Sequence, residues 1–354
     1  MTQGLAPIPI VDVRDGGTLR LAREGSERAR SLRDTCVAWF PAAARPLIPL
    51  LDGVARRWLM RSQSPYVEEV RAIAEVLGFP GIWFLNGSYQ WSCTALARDE
   101  GGTPWLARTL DWPFPGLGRF AELARMRGPV GDFVNVTWPG YVGVLTALAP
   151  GRFAAAINQG PMRRRSQAEL LRLYDLAANG IATLRYVRAI PPDQLLRRVF
   201  EEADSYDRAK RMLETTPVAR PVIYTLAGCH AGQRCVIERT EDGFNTRTDD
   251  HGAANDWLQS TPLWEGRIGA SQVLRLSFED AAQYSRARRE CLAAWPGSFN
   301  RESFGWVMPP VLNPYTRIAV EMNPARGIVR AIGYELRAGE ELAQPATQPC
   351  EFAA

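Results

Sequence analysis

The sequence predicts an α+β fold of antiparallel sheets covered by helices, and three observations predict it. Strand-like segments come in blocks rather than alternating one-for-one with helices, which argues against a parallel βαβ array. Two helical blocks interrupt those strands, and everything before Cys93 reads as mostly helical. No linker-like boundary and no internal repeat divides the 354 residues, so one domain over 1–354 is the simpler organisation.

Taken in order, Ile8 to Val13 is a short β-type segment ended by Gly16-Gly17. A helical, Arg-rich pattern runs from Thr18 to about Ala38. A second helix, about Pro49 to Met60, places Leu50, Leu51, Val54 and Trp58 at helical spacing. In the third, Ser64 reads as the N-cap, Pro65 fits the first turn and Gly78 closes the end, with Val67, Val70, Ile73, Ala74 and Leu77 as the apolar stripe. Thr94 to Ala97 and Trp105 to Leu110 then form a hairpin about Gly101-Gly102. Strands are expected at Phe133–Trp138, Tyr141–Thr146 and Arg152–Asn158, separated by Pro139-Gly140 and Pro150-Gly151. Helices fill roughly Ser166 to Glu214, broken at Pro191-Pro192. Strands resume at Val222–Ala227, Cys235–Arg239 and Phe244–Arg247. A helical region covers about Gly269 to Ala294, and strands Thr316–Met322 and Ile328–Tyr334 close the fold. The tail from Ala338 is polar and reads as frayed.

Composition excludes several classes. The net charge of +4 is modest and no element gathers it into a nucleic-acid footprint; Arg163-Arg164-Arg165 reads as the solvated lead-in to a helix. No secretory pattern occupies Met1 to Gly17, and no uncharged run is long enough to span a bilayer, so the expectation is a cytoplasmic protein. The six cysteines lack paired CxxC spacing, which suggests neither a metal site nor a disulfide framework. No cofactor is expected.

Cys93 is the candidate nucleophile. The hairpin brings Arg108 across from it, and a nearby cation lowers a thiol pKa. Arg108 and Asp111 are an odd number of residues apart, which on a regular strand puts them on opposite faces. A shared site therefore needs a bulge, or Asp111 at the strand end. Cysteine hydrolases commonly use a histidine base, yet the chain holds only His230 and His251, neither in a triad-like context. That scarcity favours the α-amino group of Cys93 itself, whose ordinary pKa of about 7.7–8.0 suits a general base near neutral pH. Such a base exists only if the Ser92–Cys93 bond is cut, so the sequence hints at a self-cleaving precursor.

The stretch Cys93-Thr94-Ala95-Leu96, with Arg108-Thr109-Leu110-Asp111-Trp112-Pro113-Phe114, resembles the opening of the mature catalytic chain in the acid ceramidases and N-acylethanolamine acid amidases. Further similar segments follow in the same order: Gly140 to Asn158, Tyr224 to Arg239, Asn255-Asp256-Trp257 with Arg267, and Pro310-Val311-Leu312-Asn313. The resemblance spans roughly Pro65 to Tyr334. It departs at Thr109, where the family has Asn, and at Gln159-Gly160-Pro161, where the ceramidases have Glu-Arg.

The resemblance implies a four-layer αββα N-terminal-nucleophile hydrolase sandwich. Residues 1–92 would be the leading segment and 93–354 the catalytic chain released by autocleavage between Ser92 and Cys93. Cys93 would attack an amide carbonyl, Arg108 would favour its thiolate and Asp111 would hold its amine. Asn255 and Asn158 would donate to the oxyanion, and Arg267 would complete the charge network. Trp112, Phe114 and Tyr141 would line an apolar substrate site. The expected partner is a small N-acyl amide rather than nucleic acid. An acyltransferase and an uncleaved binding relative remain alternatives, and a homo-oligomer or an α/β heterodimer after cleavage stays open.

Overall fold

The computed structural model describes residues 4–87, 92–249, 251–266 and 276–354. Its first part contributes β1 (Ile10–Asp12), α1 (Gly17–Glu24), α2 (Ser26–Trp39), α3 (Ile48–Leu59), α4 (Val67–Leu77) and α5 (Ile82–Gly87). The hairpin follows as β2 (Ser92–Glu100) and β3 (Thr103–Asp111). Next come β4 (Glu122–Gly128), β5 (Gly131–Thr137), β6 (Thr146–Ala149), β7 (Phe153–Gln159) and the short β8 (Met162–Arg163). Helices α6 (Arg172–Tyr186), α7 (Pro192–Glu202) and α8 (Tyr206–Thr215) precede β9 (Val222–Ala227), β10 (Arg234–Arg239), β11 (Phe244–Arg247) and β12 (Trp264–Glu265). The chain closes with α9 (Phe278–Ala294), β13 (Thr316–Asn323), β14 (Ile328–Glu335), β15 (Gln344–Pro345) and β16 (Cys350–Ala353).

Apart from β8 and β12, which pair with each other, these strands form two stacked sheets. One has the order β1-β4-β5-β6-β7-β9-β10-β11, antiparallel except for the β1–β4 pair. The other runs β15-β14-β13-β3-β2, with β16 also on β14. Side chains of a strand alternate between faces, and the two faces of β2 and β3 go to different cores. Cys93, Leu106 and Leu110 point between the sheets, joining Val134, Leu148, Ala154 and Ala156 of the facing sheet. Leu96, Trp105 and Ala107 point outward, where Leu292 and Trp295 at the end of α9 meet them. On the opposite outer face Phe200 of α7 packs on Phe133 and Phe153, with ring centroids 5.5 and 4.7 Å apart. The result is the α+β layering of helix, sheet, sheet and helix. Helices α3, α4 and α5 bury their own apolar stripes in a satellite core around Trp58, Leu59, Ile73 and Ile82.

The structure corrects several sequence boundaries. The single helix expected from Thr18 is two helices broken at Gly25, where a β-carbon would lie 2.8 Å from Pro139. Ser64 does not cap α4; the helix starts later, at Val67, although the Ser64 hydroxyl accepts from Tyr66 N. Tyr141–Thr146 is not a strand. Its backbone is drawn off by the Asn86 side chain and a carbonyl in the first turn of α7, with Val142 N donating to Asn86 Oδ1 and Val144 N to Asp193 O, so β6 begins only at Thr146. Strand β4 was not anticipated. The tail is not frayed: β15 and β16 both pair with β14, and Thr347 bridges to Ala6.

Candidate active site

The turn at Gly101-Gly102 fixes the register of the site. Both residues have positive φ, 62° and 85°, which glycine adopts without steric cost and a tight hairpin requires. Cys93 then pairs with Leu110, Ala95 with Arg108 and Ser92 with Asp111. Arg108 therefore shares the inner face with Cys93, and its Nη2 donates to Cys93 Sγ at 3.0 Å and to Ile157 O at 2.9 Å. Thiol and guanidinium are both fully buried. Burial pushes the Cys93 thiol above its usual range, while the Arg108 charge pulls against that shift. In the uncut chain the thiol is thus neutral near pH 7.

Asp111 is the last residue of β3 and faces the other way, outward with Thr94. The odd spacing does separate the two faces, and the site straddles the sheet. The register with β13 shifts between Thr316 and Ile318, so Thr316 sits opposite Asp111. Thr316 Oγ1 donates to Asp111 Oδ1 at 3.1 Å and Asn313 Nδ2 to Oδ2 at 2.9 Å. Burial raises the Asp111 pKa, and Arg288, Asn313 and Thr316 oppose the rise.

Arg288, on the outer helix α9, ties the two faces together. Its Nη1 donates to Cys93 O at 3.0 Å, Thr94 Oγ1 at 3.1 Å and Asp111 Oδ2 at 3.2 Å. Its Nη2 donates to Asn255 Oδ1 at 2.9 Å. That same oxygen accepts the Cys93 N–H at 2.8 Å. Asn255 reaches Cys93 around the open edge of β2, because Ala253 forms a two-bond bridge with Ala95 there. Its backbone N donates to Ser285 Oγ on α9 at 2.8 Å, and its Nδ2 to Gln159 O at 2.9 Å. Asn158 Nδ2 donates to Ala253 O and Ala254 O at 3.2 and 3.0 Å, strapping down the segment that carries Asn255.

The structure therefore gathers Ser92, Cys93, Arg108, Asp111, Asn158 and Asn255. The expected Asp111 contact to the Cys93 nitrogen is not made in the uncut chain, where Asn255 accepts that N–H. Arg267 lies outside the described residues.

Trp112, Phe114 and Tyr141 line one apolar pocket together with Leu110, the cross-strand partner of Cys93. The leading segment supplies much of the remaining wall through Leu32, Val37, Phe40 and Phe84. Tyr141 donates its hydroxyl to the buried Asp193 at 2.8 Å. Among the described residues, no helix is long and apolar enough to cross a membrane, and no group of three or more His, Cys, Asp or Glu is placed to hold a metal ion.

Arg288, Thr316 and Ser285 were not found from sequence. Arg286, Arg288 and Arg289 fall within one helical turn, and nothing in the sequence says which of them turns inward. Asn313 lay in a segment that carried the resemblance, which was the one available signal.

Comparison with known proteins agrees with the resemblance read from sequence. No protein-family model matches the chain. It is 28% identical over 187 residues to an N-acylethanolamine-hydrolyzing acid amidase of Oryctolagus cuniculus, covering 51% of this chain and 49% of that one. It is 30% identical over 213 residues to an acid ceramidase of Heterocephalus glaber, covering 54% and 52%. The chain thus spans about half the length of these curated relatives. Among solved structures it aligns with a Caenorhabditis elegans N-acylethanolamine-hydrolyzing acid amidase ortholog, with TM-score 0.46 and 18% identity, covering 66% of this chain and 93% of that one.

Proposed function

For this relative of the acid ceramidases and N-acylethanolamine acid amidases, we propose a cysteine amidohydrolase that cleaves the linear amide bond of an N-acyl amide with an apolar acyl chain. The observation that carries the reading is the buried Cys93 thiol held 3.0 Å from the Arg108 guanidinium, with its cross-strand partner Leu110 lining an apolar pocket. Residues 1–92 and 93–354 act as leading and catalytic segments of one domain.

The Ser92–Cys93 bond is hydrolysed first, one water adding across it to leave a carboxylate on Ser92 and an amine on Cys93. In the precursor the Cys93 nitrogen is a peptide N–H bonded to Asn255 Oδ1. After cleavage it is an amine of ordinary pKa about 7.7–8.0, able to take the thiol proton near neutral pH. Loss of Ser92, the residue paired with Asp111, opens the new ammonium to that carboxylate. The thiolate then attacks the substrate carbonyl carbon, and the negative charge collects on the carbonyl oxygen. Cys93's ammonium returns its proton to the leaving amine as the C–N bond breaks, leaving a thioester. Water, deprotonated by the same amine, releases the acid and restores the thiol. Arg108 stabilises the thiolate in both halves.

Asn255 holds two donors on its Oδ1 and gives its Nδ2 to Gln159 O in the uncut chain; its part as an oxyanion donor rests on the resemblance, and losing one such donor costs roughly 100- to 1000-fold in rate. Both Asn158 contacts go to backbone carbonyls, which supports a part for it in holding Asn255. Arg267 stays with the charge network on the resemblance alone. A cytoplasmic site of action is part of the same proposal.

Intact-mass spectrometry with a panel of N-acyl amides tests the reading. Cys93→Ala is expected to stay uncut and to release no acid, while the parent chain is cut at Ser92–Cys93. A full-length, uncut chain that turns over amides would overturn the mechanism. Acyl transfer to an added amine in place of acid release would favour the acyltransferase.

A further inference from the structure

We propose that Asn313 and Thr316 are positioning residues that keep the Asp111 carboxylate ionised and fixed behind the nucleophile. The inference rests on the amidase reading for its catalytic meaning, but its geometric basis is independent of it.

The two residues form a self-locked turn at the entry to β13. Asn313 N donates to Thr316 Oγ1 at 3.0 Å, and Thr316 N donates back to Asn313 O at 3.1 Å. Tyr315 N donates to Asn313 Oδ1 at 2.9 Å. That bond fixes the amide orientation, because its oxygen is occupied and only Nδ2 can face Asp111. The Thr316 hydroxyl accepts from Asn313 N and has one proton to give; Asp111 Oδ1 at 3.1 Å is a nearer acceptor than Val311 O at 3.4 Å, so toward Asp111 it is a donor. Asp111 therefore meets donors on both oxygens: Thr316 on Oδ1, and Asn313 and Arg288 on Oδ2. An anion satisfies all three. A protonated carboxyl would present its own O–H to groups that are themselves donating, in a site from which water is excluded. The arrangement is selective for the charged state.

Every charged or titratable group with a described influence on Asp111 fits this reading. Arg288 on α9 and Arg108 on its own strand favour the anion. Cys93 on β2, Tyr284 on α9 and Arg317 on β13 also interact with it. Of these, Cys93 and Tyr284 are neutral near pH 7, since burial pushes the thiol up and the phenol to about 12. Burial is the largest influence and raises the Asp111 carboxyl above its ordinary range, and Arg288, Asn313, Thr316 and Arg108 oppose it.

The test is a titration of the Asp111 carboxyl by 13C NMR in the full, uncut Cys93→Ala chain, with the resonance assigned by adding Asp111→Asn. Thr316→Val keeps the shape and deletes the hydroxyl; Asn313→Ala deletes the amide. Each is expected to raise the Asp111 midpoint by on the order of one pH unit, since donors favour the charged form. Thr316→Ser is expected to restore the parent midpoint. An unmoved midpoint in Thr316→Val overturns the proposal, and this variant settles the matter even if Asn313→Ala does not fold. In the chain with Cys93 restored, the acid limb of Ser92–Cys93 cleavage and of amide hydrolysis should move up by the same amount. Equal loss at every pH with the limb unmoved would assign the pair a merely structural role. Should the parent chain neither cleave nor hydrolyse, the amidase reading fails, and the carboxyl titration still decides the clamp.

Discussion

Replacing Arg288 with methionine is the sharpest probe of this site, because one side chain serves both faces of the sheet. The substitution removes donors to four acceptors: Cys93 O, Thr94 Oγ1, Asp111 Oδ2 and Asn255 Oδ1. It also strands the Asp111 carboxylate, whose side chain is 1% exposed, without its ion-pair partner. Breaking a buried pair from one side costs about 3–5 kcal/mol, far more than a surface pair would. Asn255 would lose one of the two donors fixing its Oδ1, and a misplacement near 1 Å in such a site costs about 100-fold in rate. The assay is equilibrium urea unfolding on the uncut Cys93→Ala background, paired with self-cleavage followed by intact mass in the Cys93 chain. The double variant Arg288→Met with Asp111→Asn removes the stranded charge. It should recover a large part of the lost stability and none of the cleavage rate. A loss under about 1 kcal/mol for Arg288→Met, the range of an exposed pair, would refute this account, as would a double variant less stable than the single.

Three further outcomes are expected. Cys93 in the uncut chain should alkylate slowly at pH 7 and faster through and above pH 9, because burial raises its thiol. After cleavage the neighbouring ammonium lowers the thiol pKa, so iodoacetamide labelling at pH 7 should accelerate by about tenfold or more; equal rates before and after cutting would count against the amine as base. Val37→Trp fills the pocket from the leading segment and should slow release of long acyl chains by about 10-fold or more while leaving self-cleavage intact; unchanged chain-length preference would show that this pocket does not take the acyl group. Asn158→Ala removes the Asn158 donor from Ala254 O and one of two donors from Ala253 O, which keeps Ala95 N, and should cost about 1–3 kcal/mol in urea unfolding, with slower turnover through Asn255. No stability change would mean the strap is dispensable.

What could be read from the chain was what is local. Cys93 and Arg108 are fifteen residues apart on two strands joined by two glycines, so strand periodicity and the turn settle their register without reference to anything distant. The same parity argument separated Asp111 onto the other face and asked for either a bulge or Asp111 at the end of its strand, and the second is what is found. Histidine scarcity and the ordered segments pointed to the Cys93 nitrogen and to Asn255, and those two groups lie in hydrogen-bond contact.

Where apolar alternation alone was followed, at Tyr141–Thr146, the reading went astray, because Asn86 and Asp193 take the backbone bonds a strand would need. The tail looked frayed because its composition is polar, yet its order comes from the waiting edge of β14. The second half of the site was set only by tertiary structure. Arg288 lies 195 residues from Cys93 and Thr316 lies 205 from Asp111. Their neighbours in sequence give no reason to single them out. A buried charge selects its partners by what the closed fold brings within hydrogen-bond distance: α9 reaches Asp111 when the outer helix is laid on the sheet, and the turn before β13 reaches it when β13 pairs with β3. The chain's local pattern chose the thiol and its cation; folding chose the groups that hold them.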